Sequence, residues 1–299
     1  MLHNYLQIKY PLIQGAMALI SDATFAAHVS NAGTLGVIAT TNMSVAEVKQ
    51  AVDLCRSQTS LPFGVNVMLS QVNHKEIITA LLALRPQVVI LSAGNPKPYI
   101  QHFKKANIIV LVVTNSVTLA KHVAQKHADM IIMEGFEAGG HVGEMTTISL
   151  IPQVVDTIDN PTIAAGGIVD ARTFKAALGL GAVGAQIGTR LIASQECPVH
   201  ENYKQTLIKA KAHDTTIIGR TLGLPIRCYK NNFTHHMLNL EKQSINKKMW
   251  QSLTTAAYQR AIIDGDTDNG MMMMGQNVGL IHKIKPLHDI FKELTNHKE

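Results

Sequence analysis

The sequence has few cysteines and few aromatic residues, and each shortage excludes a class of protein. Its three cysteines, Cys55, Cys197 and Cys228, lie far apart along the chain. They supply neither a disulfide framework nor the spacing of a zinc site, and they indicate reduced thiols in the cytoplasm. Only 5% of the residues are aromatic, which disfavours the stacking surfaces that bind single-stranded nucleic acid.

Long apolar runs and dense charge are also missing. No apolar stretch reaches the roughly 18 residues that span a bilayer, and the N-terminus lacks the pattern of a signal peptide. We therefore expect a cytoplasmic protein with neither membrane nor nucleic acid as a partner. The chain is 46% hydrophobic and 16% charged, which is typical of many buried parallel strands. Its net charge of +6 indicates either an ordinary solvated surface or a basic face for acidic partners.

Short apolar runs recur along the first two thirds of the chain and alternate with segments of helical spacing. This alternation predicts a parallel sheet, and eight strands are the number that closes a (β/α)8 TIM barrel. A doubly wound open sheet is the competing fold, but no GxGxxG motif follows the first run. The eight predicted strands are residues 11–17, 35–39, 63–69, 88–93, 108–114, 130–134, 162–166 and 182–188.

The regular alternation ends after the eighth predicted strand. We assign residues 1–195 to the barrel and residues 196–269 to a small helical subdomain inserted after the eighth strand. Helices are predicted in this insertion at residues 200–212 and 250–263. Residues 270–299 are predicted to return the chain to the barrel.

The stretch from Glu134 to Thr147, EGFEAGGHVGEMTT, follows the sixth predicted strand. Its glycines, including Gly139 and Gly140, let the backbone approach a ligand closely. They surround His141, a titratable imidazole at the strand end where a barrel places its chemistry. The stretch predicts a catalytic loop, and the alternative is a flexible turn with a solvated histidine.

Two glycine motifs follow the seventh and eighth predicted strands, where barrels commonly bind phosphate. Gly166 and Gly167 precede a helix whose first amides can bind phosphate oxygens. Gly188 and Thr189 offer an amide and a hydroxyl on the neighbouring loop. Together they predict a phosphorylated cofactor, and the alternative is a pair of tight turns without a ligand.

Other candidate residues lie at the ends of the first, third and sixth strands. Gly15 and Ala16 are small enough for a flat ring to lie against the backbone. Asn66 can donate and accept hydrogen bonds in the barrel mouth, or it is a core amide satisfied by its neighbours. Glu134 is a carboxylate placed for a polar ring edge, or else a salt-bridge or capping residue. Arg190 is a candidate to pair with phosphate or with a structural carboxylate.

The motifs together resemble a known family. QGAM, GVNVML, SAGNP, EGFEAGGHVGEMTT, AAGGI and QIGTR, in this order, are similar to the flavin-dependent enoyl-acyl-carrier-protein reductase II family. That family lies within the nitronate monooxygenase (2-nitropropane dioxygenase) superfamily. The resemblance covers roughly residues 8–230, and GMMMMGQNVGLI continues it.

The resemblance implies a barrel that binds FMN, with His141 as the catalytic histidine. It implies no metal. The cofactor-binding residues expected from the motifs and from this resemblance are Gly15, Ala16, Met17, Asn66, Glu134, Gly139, Gly140, Gly166, Gly167, Gln186, Ile187, Gly188 and Thr189.

The resemblance further implies a reaction. The expected activity is reduction of trans-2-enoyl thioesters in fatty-acid synthesis, with NADH or NADPH as the co-substrate. The substrate would be a small molecule or an acyl chain borne on acyl carrier protein, and a homodimer is a possible assembly. One alternative is a nitronate monooxygenase that oxidises alkyl nitronates with O2. Another is a barrel that binds a phosphorylated ligand without catalysis.

Overall fold

A computed structural model describes residues 2–296, and its central feature is a closed barrel of eight parallel strands. The strands follow one another around the barrel in chain order, and each pairs in parallel with its neighbours. The first and second strands close the barrel, since Gln14 N donates to Leu35 O at 2.9 Å. The predicted (β/α)8 fold is therefore confirmed.

Each predicted strand is present, and its bounds agree to within a few residues. The barrel strands are β1 (Leu12–Gln14), β2 (Gly36–Ala39), β3 (Phe63–Met68), β4 (Val88–Ser92), β5 (Ile109–Thr114), β6 (Met130–Glu134), β8 (Thr162–Ala165) and β9 (Gly184–Ile187). Three short strands lie outside the barrel, namely β7 (Gly140–His141), β10 (Thr215–Ile218) and β11 (Ile226–Tyr229).

The helices that alternate with the strands begin at side-chain caps where the sequence provides them. Asp22 accepts from Phe25 N, and Ser44 forms a capping box with Glu47, which satisfies amides that a helix start leaves unpaired. The α-helices are α1 (Leu2–Leu6), α2 (Ala23–Asn31), α3 (Val45–Gln58), α4 (His74–Leu84), α5 (Lys97–Lys105), α6 (Val117–Ala124), α7 (Thr147–Val155), α8 (Ala171–Gly179), α9 (Thr189–Ile192), α10 (Glu201–Lys209), α11 (Asn232–Lys242), α12 (Lys247–Gln259) and α13 (Leu287–Thr295).

Two hydrophobic layers hold the barrel together. One fills its interior and includes Ile13, Val37 and Ile90, and the other lies between the strands and the helices. Helix α1 closes the amino-terminal end, because Leu2 and Leu6 belong to the interior cluster. The carboxyl ends of the strands are thus left as the end where a site can form.

Residues 196–269 contain the helices α10, α11 and α12, but they also contain two strands that the sequence analysis did not predict. Strands β10 and β11 form an antiparallel hairpin, and β11 pairs in turn with β7. A small three-stranded sheet therefore joins the inserted segment to the loop that carries His141. Residues 276–280 and 220–222 form 3-10 turns, and Arg260–Asp264 forms a π-helical turn after α12. Residue 1 of the assigned barrel and residues 297–299 of the assigned return lie outside the described residues.

Candidate active site

The first and last barrel strands bring two predicted cofactor segments into contact. Gly15 N donates to Ile187 O at 2.8 Å, and a Cβ added at Gly15 would lie 3.5 Å from the Gly188 Cα. The Met17 sulfur lies 3.6 Å from the position of a Cβ at Gly188. The loops after β1 and β9 therefore form one continuous surface.

A buried serine, which sequence reasoning missed, fixes the turn after β1. Ser21 Oγ accepts from Gln14 Nε2 and from Met17 N, each at 3.0 Å, and donates to Gly15 O at 3.2 Å. Gln14 Oε1 accepts from Val37 N at 2.9 Å. This network holds the backbone of residues 15–17 in place, because the buried Gln14 and Ser21 side chains find partners within it.

The two glycine motifs adopt conformations suited to binding an anion. Gly166 and Gly167 have φ of +97° and +73°, a region that residues with a Cβ rarely adopt. Within residues 2–296, the amides of Gly167, Gly188 and Thr189 donate to no protein acceptor. Unpaired amides on adjacent strand ends are the donors that phosphate oxygens require.

The C-terminal segment packs against these two glycine loops, and its role was not predicted from the sequence. Asn277 Nδ2 donates to Gly167 O at 2.6 Å, and Gly275 N donates to Thr189 Oγ1 at 2.9 Å. A Cβ at Gly139 would lie 2.7 Å from the carbonyl carbon of Met274. Segment 274–277 thus packs against three of the predicted cofactor loops.

The loop after β6 is folded back on itself by Glu137. Its carboxylate accepts from Thr147 N at 2.8 Å and from Thr147 Oγ1 at 2.9 Å. Its backbone oxygen accepts from Gln276 N at 2.9 Å. A Cβ at Gly135 would lie 2.1 Å from Thr147 Oγ1, so glycine is required there. The stretch is therefore held in place by the Glu137 carboxylate, which the sequence did not single out, and the alternative of a flexible turn is not supported.

His141 stands on β7 beside the inserted segment. It pairs with Ile226 of β11, so its backbone is held by the small antiparallel sheet. The residue is exposed by surface area, yet the surrounding protein desolvates the ring enough to lower the pKa of His141 from its usual value. The imidazole is consequently neutral at neutral pH and can donate one hydrogen bond while accepting another.

Glu134 ends β6 as a half-buried carboxyl group without a partner. No hydrogen bond or ion pair to its side chain is found within the described residues, so the alternative of a salt-bridge or capping residue is not supported there. Desolvation raises the pKa of Glu134 to about 7. A desolvated carboxyl group without a partner is costly, and it leaves an acceptor for a bound ligand at the strand end.

Asn66 and Arg190 have protein partners, whereas none is found for the Gln186 side chain within the described residues. Asn66 Nδ2 donates to Ser92 Oγ at 3.2 Å and to Ile90 O at 3.3 Å, which fits a satisfied core amide. Arg190 is buried, its Nη1 donates to two backbone carbonyls, and no ion pair to a carboxylate within 4.0 Å is found for it among residues 2–296. Gln186 is half-buried.

Two features that would bear on function are absent from the described residues. Residues 2–296 contain no group of three or more His, Cys, Asp and Glu side chains that could hold a metal ion. Over the same residues, no helix combines the length and apolar character needed to cross a membrane. The mouth of the barrel is therefore lined by glycine loops, and the described part of the chain holds no such metal-binding cluster beside them.

The chain belongs to the nitronate monooxygenase family. The family model for nitronate monooxygenase matches residues 1–80 and 71–297. The chain is 30% identical to a probable nitronate monooxygenase of Staphylococcus aureus strain JH9, over 99% of this chain and 96% of the relative. It is 28% identical to (3aS,4S,5R,7aS)-5-hydroxy-7a-methyl-1-oxo-octahydro-1H-indene-4-carboxyl-CoA dehydrogenase of Rhodococcus jostii, over 95% of this chain and 91% of the relative.

Solved structures agree with this family. FabK from Thermotoga maritima superposes with a TM-score of 0.95 and 37% identity, over 99% of this chain and 94% of that one. A nitroalkane oxidase from Streptomyces ansochromogenes superposes with a TM-score of 0.84 at 24% identity, over 99% and 97% of the two chains, which supports the fold. The family and these relatives are oxidoreductases that generally depend on flavin, so the alternative of a barrel without catalysis is not retained.

Proposed function

We propose that the protein is an FMN-dependent reductase that uses NADH or NADPH to reduce trans-2-enoyl thioesters, as in fatty-acid synthesis. The observation that carries this proposal is the 37% identity to FabK, an enoyl-acyl-carrier-protein reductase II, over 99% of this chain. The probable nitronate monooxygenase of Staphylococcus aureus is 30% identical. The Rhodococcus relative is named as acting on a carboxyl-CoA, which is also a thioester.

The residues at the barrel mouth fit FMN. The unpaired amides of Gly167, Gly188 and Thr189 would hold the phosphate, with Gly166 allowing its close approach. Gly15 to Met17 lie beside Gly188, where small residues leave room for a flat ring. The Glu134 carboxyl group lacks a protein partner within the described residues and would accept a hydrogen bond from the cofactor.

The remaining predicted cofactor residues line the same strand ends. Gly139 and Gly140 follow β6, Gln186 and Ile187 end β9, and Asn66 lies in β3. When bound, FMN would take hydride from the nicotinamide and give it to the β-carbon of the enoyl thioester. All other steps that we assign to the protein consist of binding, orientation and proton handling.

His141 is proposed to act on the thioester itself. Negative charge develops on the thioester oxygen as the β-carbon is reduced, and a neutral imidazole N–H can stabilise that charge. Only the protonated ring could instead supply the proton that the α-carbon requires. The lowered pKa of His141 favours the neutral ring, and it therefore supports the first role over the second.

Acyl carrier protein is the proposed carrier of the substrate, because a basic protein attracts an acidic partner. The net charge of +6 supports this choice.

We also propose a cytoplasmic location, which is supported by three buried cysteines that remain unpaired.

The proposal is tested with the purified protein and its bound flavin. Anaerobic addition of NADH or NADPH should bleach the flavin absorption bands, and crotonyl-CoA should then restore them. A protein that stays yellow with both nicotinamides, or that is bleached but not reoxidised by crotonyl or longer enoyl thioesters, contradicts the proposal.

Nitronate oxidation is the second candidate, and the match of the family model to almost the whole chain favours it. In that reaction His141 would act as a base or as an anchor for the nitronate anion, and O2 would reoxidise the flavin. Oxygen uptake with propionate 3-nitronate, measured without nicotinamide, tests it directly. Undetectable uptake with this substrate and with alkyl nitronates removes the candidate.

A further inference from the structure

The turn between β10 and β11 holds an exposed arginine, Arg220, in a fixed position. Gly219 has φ of +83°, and a Cβ there would lie 2.2 Å from Leu224 O and 2.7 Å from the Trp250 ring. Gly219 O accepts from Leu224 N at 2.9 Å. Because Trp250 is buried beneath the turn, the backbone that carries Arg220 has little freedom to move.

A buried carboxylate anchors the same turn from below. Glu241 accepts from Gly219 N at 2.6 Å, from Thr221 N at 3.3 Å and from Thr221 Oγ1 at 3.1 Å. Only 9% of Glu241 is exposed. Its carboxylate therefore fixes the backbone on either side of Arg220.

Two guanidinium groups lie against the ring of Phe136, in the loop after β6. The Arg227 Cζ is 4.7 Å from the ring centroid and the Arg220 Cζ is 5.6 Å from it. Both distances are within the range of a cation–π contact. The aromatic ring thus contacts the Arg220 side chain, while the turn fixes its backbone.

The two arginines differ in how far their donors are used. Arg227 is 4% exposed, and its Nε and Nη2 donate to Phe136 O at 3.3 and 3.1 Å while Nη1 donates to Thr215 Oγ1 at 3.3 Å. Arg220 is exposed, and within residues 2–296 its guanidinium has no carboxylate or carbonyl partner. Its donors remain available to a ligand.

The charge at the rim formed by Arg220, Arg227 and Phe136 favours a bound anion. Burial lowers the pKa of Arg227, nearby Glu137 opposes that change, and the positive charge of Arg220 adds to it. The Glu137 carboxylate is held by Thr147 and does not pair with either arginine. Among residues 2–296 neither of the two cations that converge on this ring forms a salt bridge, and a bound anion would relieve their repulsion.

The rim adjoins the proposed catalytic histidine. Arg227 pairs with Gly140 across β11 and β7, and Ile226 pairs with His141. Phe136 lies five residues before His141 in the same loop. The rim and His141 are therefore held by the same small sheet and the same loop.

We propose that Arg220, supported by Phe136, forms an anion subsite that binds a phosphoryl group of an incoming co-substrate. The inference rests on the proposed function. Arginine matches the geometry of phosphate oxygens better than lysine does. Phosphoryl groups are present in coenzyme A and in the phosphopantetheine arm of acyl carrier protein, and also in NADH and NADPH, so the experiment separates these two sources.

The experiment compares Arg220→Gln, Arg220→Lys and a charge-matched control, Lys105→Gln, in the flavin-loaded protein. Lys105 ends α5 and is exposed, at the opposite end of the barrel. The substrates are crotonyl-CoA and crotonyl-N-acetylcysteamine, which lacks phosphate. The expected result is that Arg220→Gln lowers the ratio of kcat/KM for crotonyl-CoA to that for crotonyl-N-acetylcysteamine by roughly five- to tenfold.

The two remaining variants and the dependence on salt concentration show whether the charge of Arg220 causes this change in the ratio. Lys105→Gln should leave the ratio unchanged, and Arg220→Lys should recover part of it because the charge remains. The KM for crotonyl-CoA should depend less on ionic strength in Arg220→Gln than in the wild type. If the KM for NADH or NADPH rises instead, the dinucleotide supplies the phosphoryl group and the subsite still stands. An unchanged ratio together with unchanged nicotinamide KM values overturns the subsite.

A binding measurement separates this inference from the proposed function. If the wild type reduces neither crotonyl thioester, the proposed function fails, and calorimetric titration with coenzyme A and with NADH still tests the subsite. Weaker binding of either ligand to Arg220→Gln than to the wild type and Lys105→Gln supports it. Equal binding in all three proteins, or no binding of either ligand to the wild type, overturns it.

Discussion

Thr189 Oγ1 accepts a hydrogen bond from Gly275 N at 2.9 Å, although the two residues lie 86 positions apart. Thr189 begins the helix after the last barrel strand, and Gly275 belongs to the segment that follows the inserted residues. This bond fixes the C-terminal segment against the loop proposed to bind phosphate. The integrity of the cofactor site should therefore depend on a residue pair that neither loop reveals alone.

Replacing Thr189 with valine should weaken flavin binding and lower stability by about 1–3 kcal/mol, because the Gly275 N–H loses its acceptor. Thr189→Ser keeps the hydroxyl and should behave much like the wild type. The measurements are the ratio of flavin to protein absorbance and the free energy of unfolding in urea. If valine and serine give the same flavin occupancy, the bond has no part in holding the site.

Replacing Gly139 with alanine should force the C-terminal segment away from the barrel mouth. The added Cβ would lie 2.7 Å from the Met274 carbonyl carbon and 2.8 Å from Gly275 N, and such overpacking costs about 1–3 kcal/mol. We expect a lower Tm and loss of flavin. Gly179→Ala is the matched control, since a Cβ at that helical position has no neighbour within 4 Å. Equal Tm values for the two variants would contradict the close packing at Gly139.

Replacing His141 with alanine should leave flavin bound and reduce turnover by roughly 10²–10³-fold, the usual cost of removing one donor to a developing oxyanion. The reason is that the glycine loops, and not the imidazole, are proposed to hold the cofactor. His235→Ala, at an exposed position of α11, serves as the control and should retain activity. Loss of flavin from His141→Ala with unchanged activity per bound flavin would contradict this division of roles.

Glu134→Gln should stabilise the protein by an amount that grows with pH. Desolvation raises the folded-state pKa of Glu134 to about 7 from 4.5, so the folded state binds more protons than the unfolded state in that interval. Wild-type stability should then fall as pH rises from about 4.5 to 7 and level off above, by at most about 3 kcal/mol. The glutamine variant lacks this loss.

The Glu134 prediction is measured by urea unfolding of both proteins in their flavin-free form at several pH values. The difference in unfolding free energy should be small at pH 4.5 and constant above pH 7. A difference that does not change with pH would show that Glu134 is not titrating in this range.

The sequence was sufficient for the barrel because each of its strands is a local apolar run. Buried segments bounded by polar or turn residues form these strands, as in Leu12–Gln14, Phe63–Met68 and Met130–Glu134. Eight such segments that alternate with helices are compatible with few folds. Helix starts were also local, as at Asp22 and Ser44, whose side chains cap the amides three residues on. Such signals need no knowledge of distant residues.

The small antiparallel sheet and the C-terminal part of the site could not be predicted in this way. Strand β7 has two residues and shows no alternation, and its partner Ile226 lies far along the chain. The bond from Asn277 to Gly167 spans 110 positions. Only the folded chain brings these residues together. No local sequence pattern therefore predicted that Glu137, Ser21 or Asn277 would be part of the site.

The late position of residues 274–277 sets an order of events during synthesis. A ribosome has made the last barrel strand when Ile187 is added, yet Gly275 and Asn277 must still follow before Thr189 and Gly167 receive their bonds. At about 5–20 residues per second this delay is roughly 4–18 s. The nascent chain can thus assemble its barrel before the site proposed to hold flavin is complete.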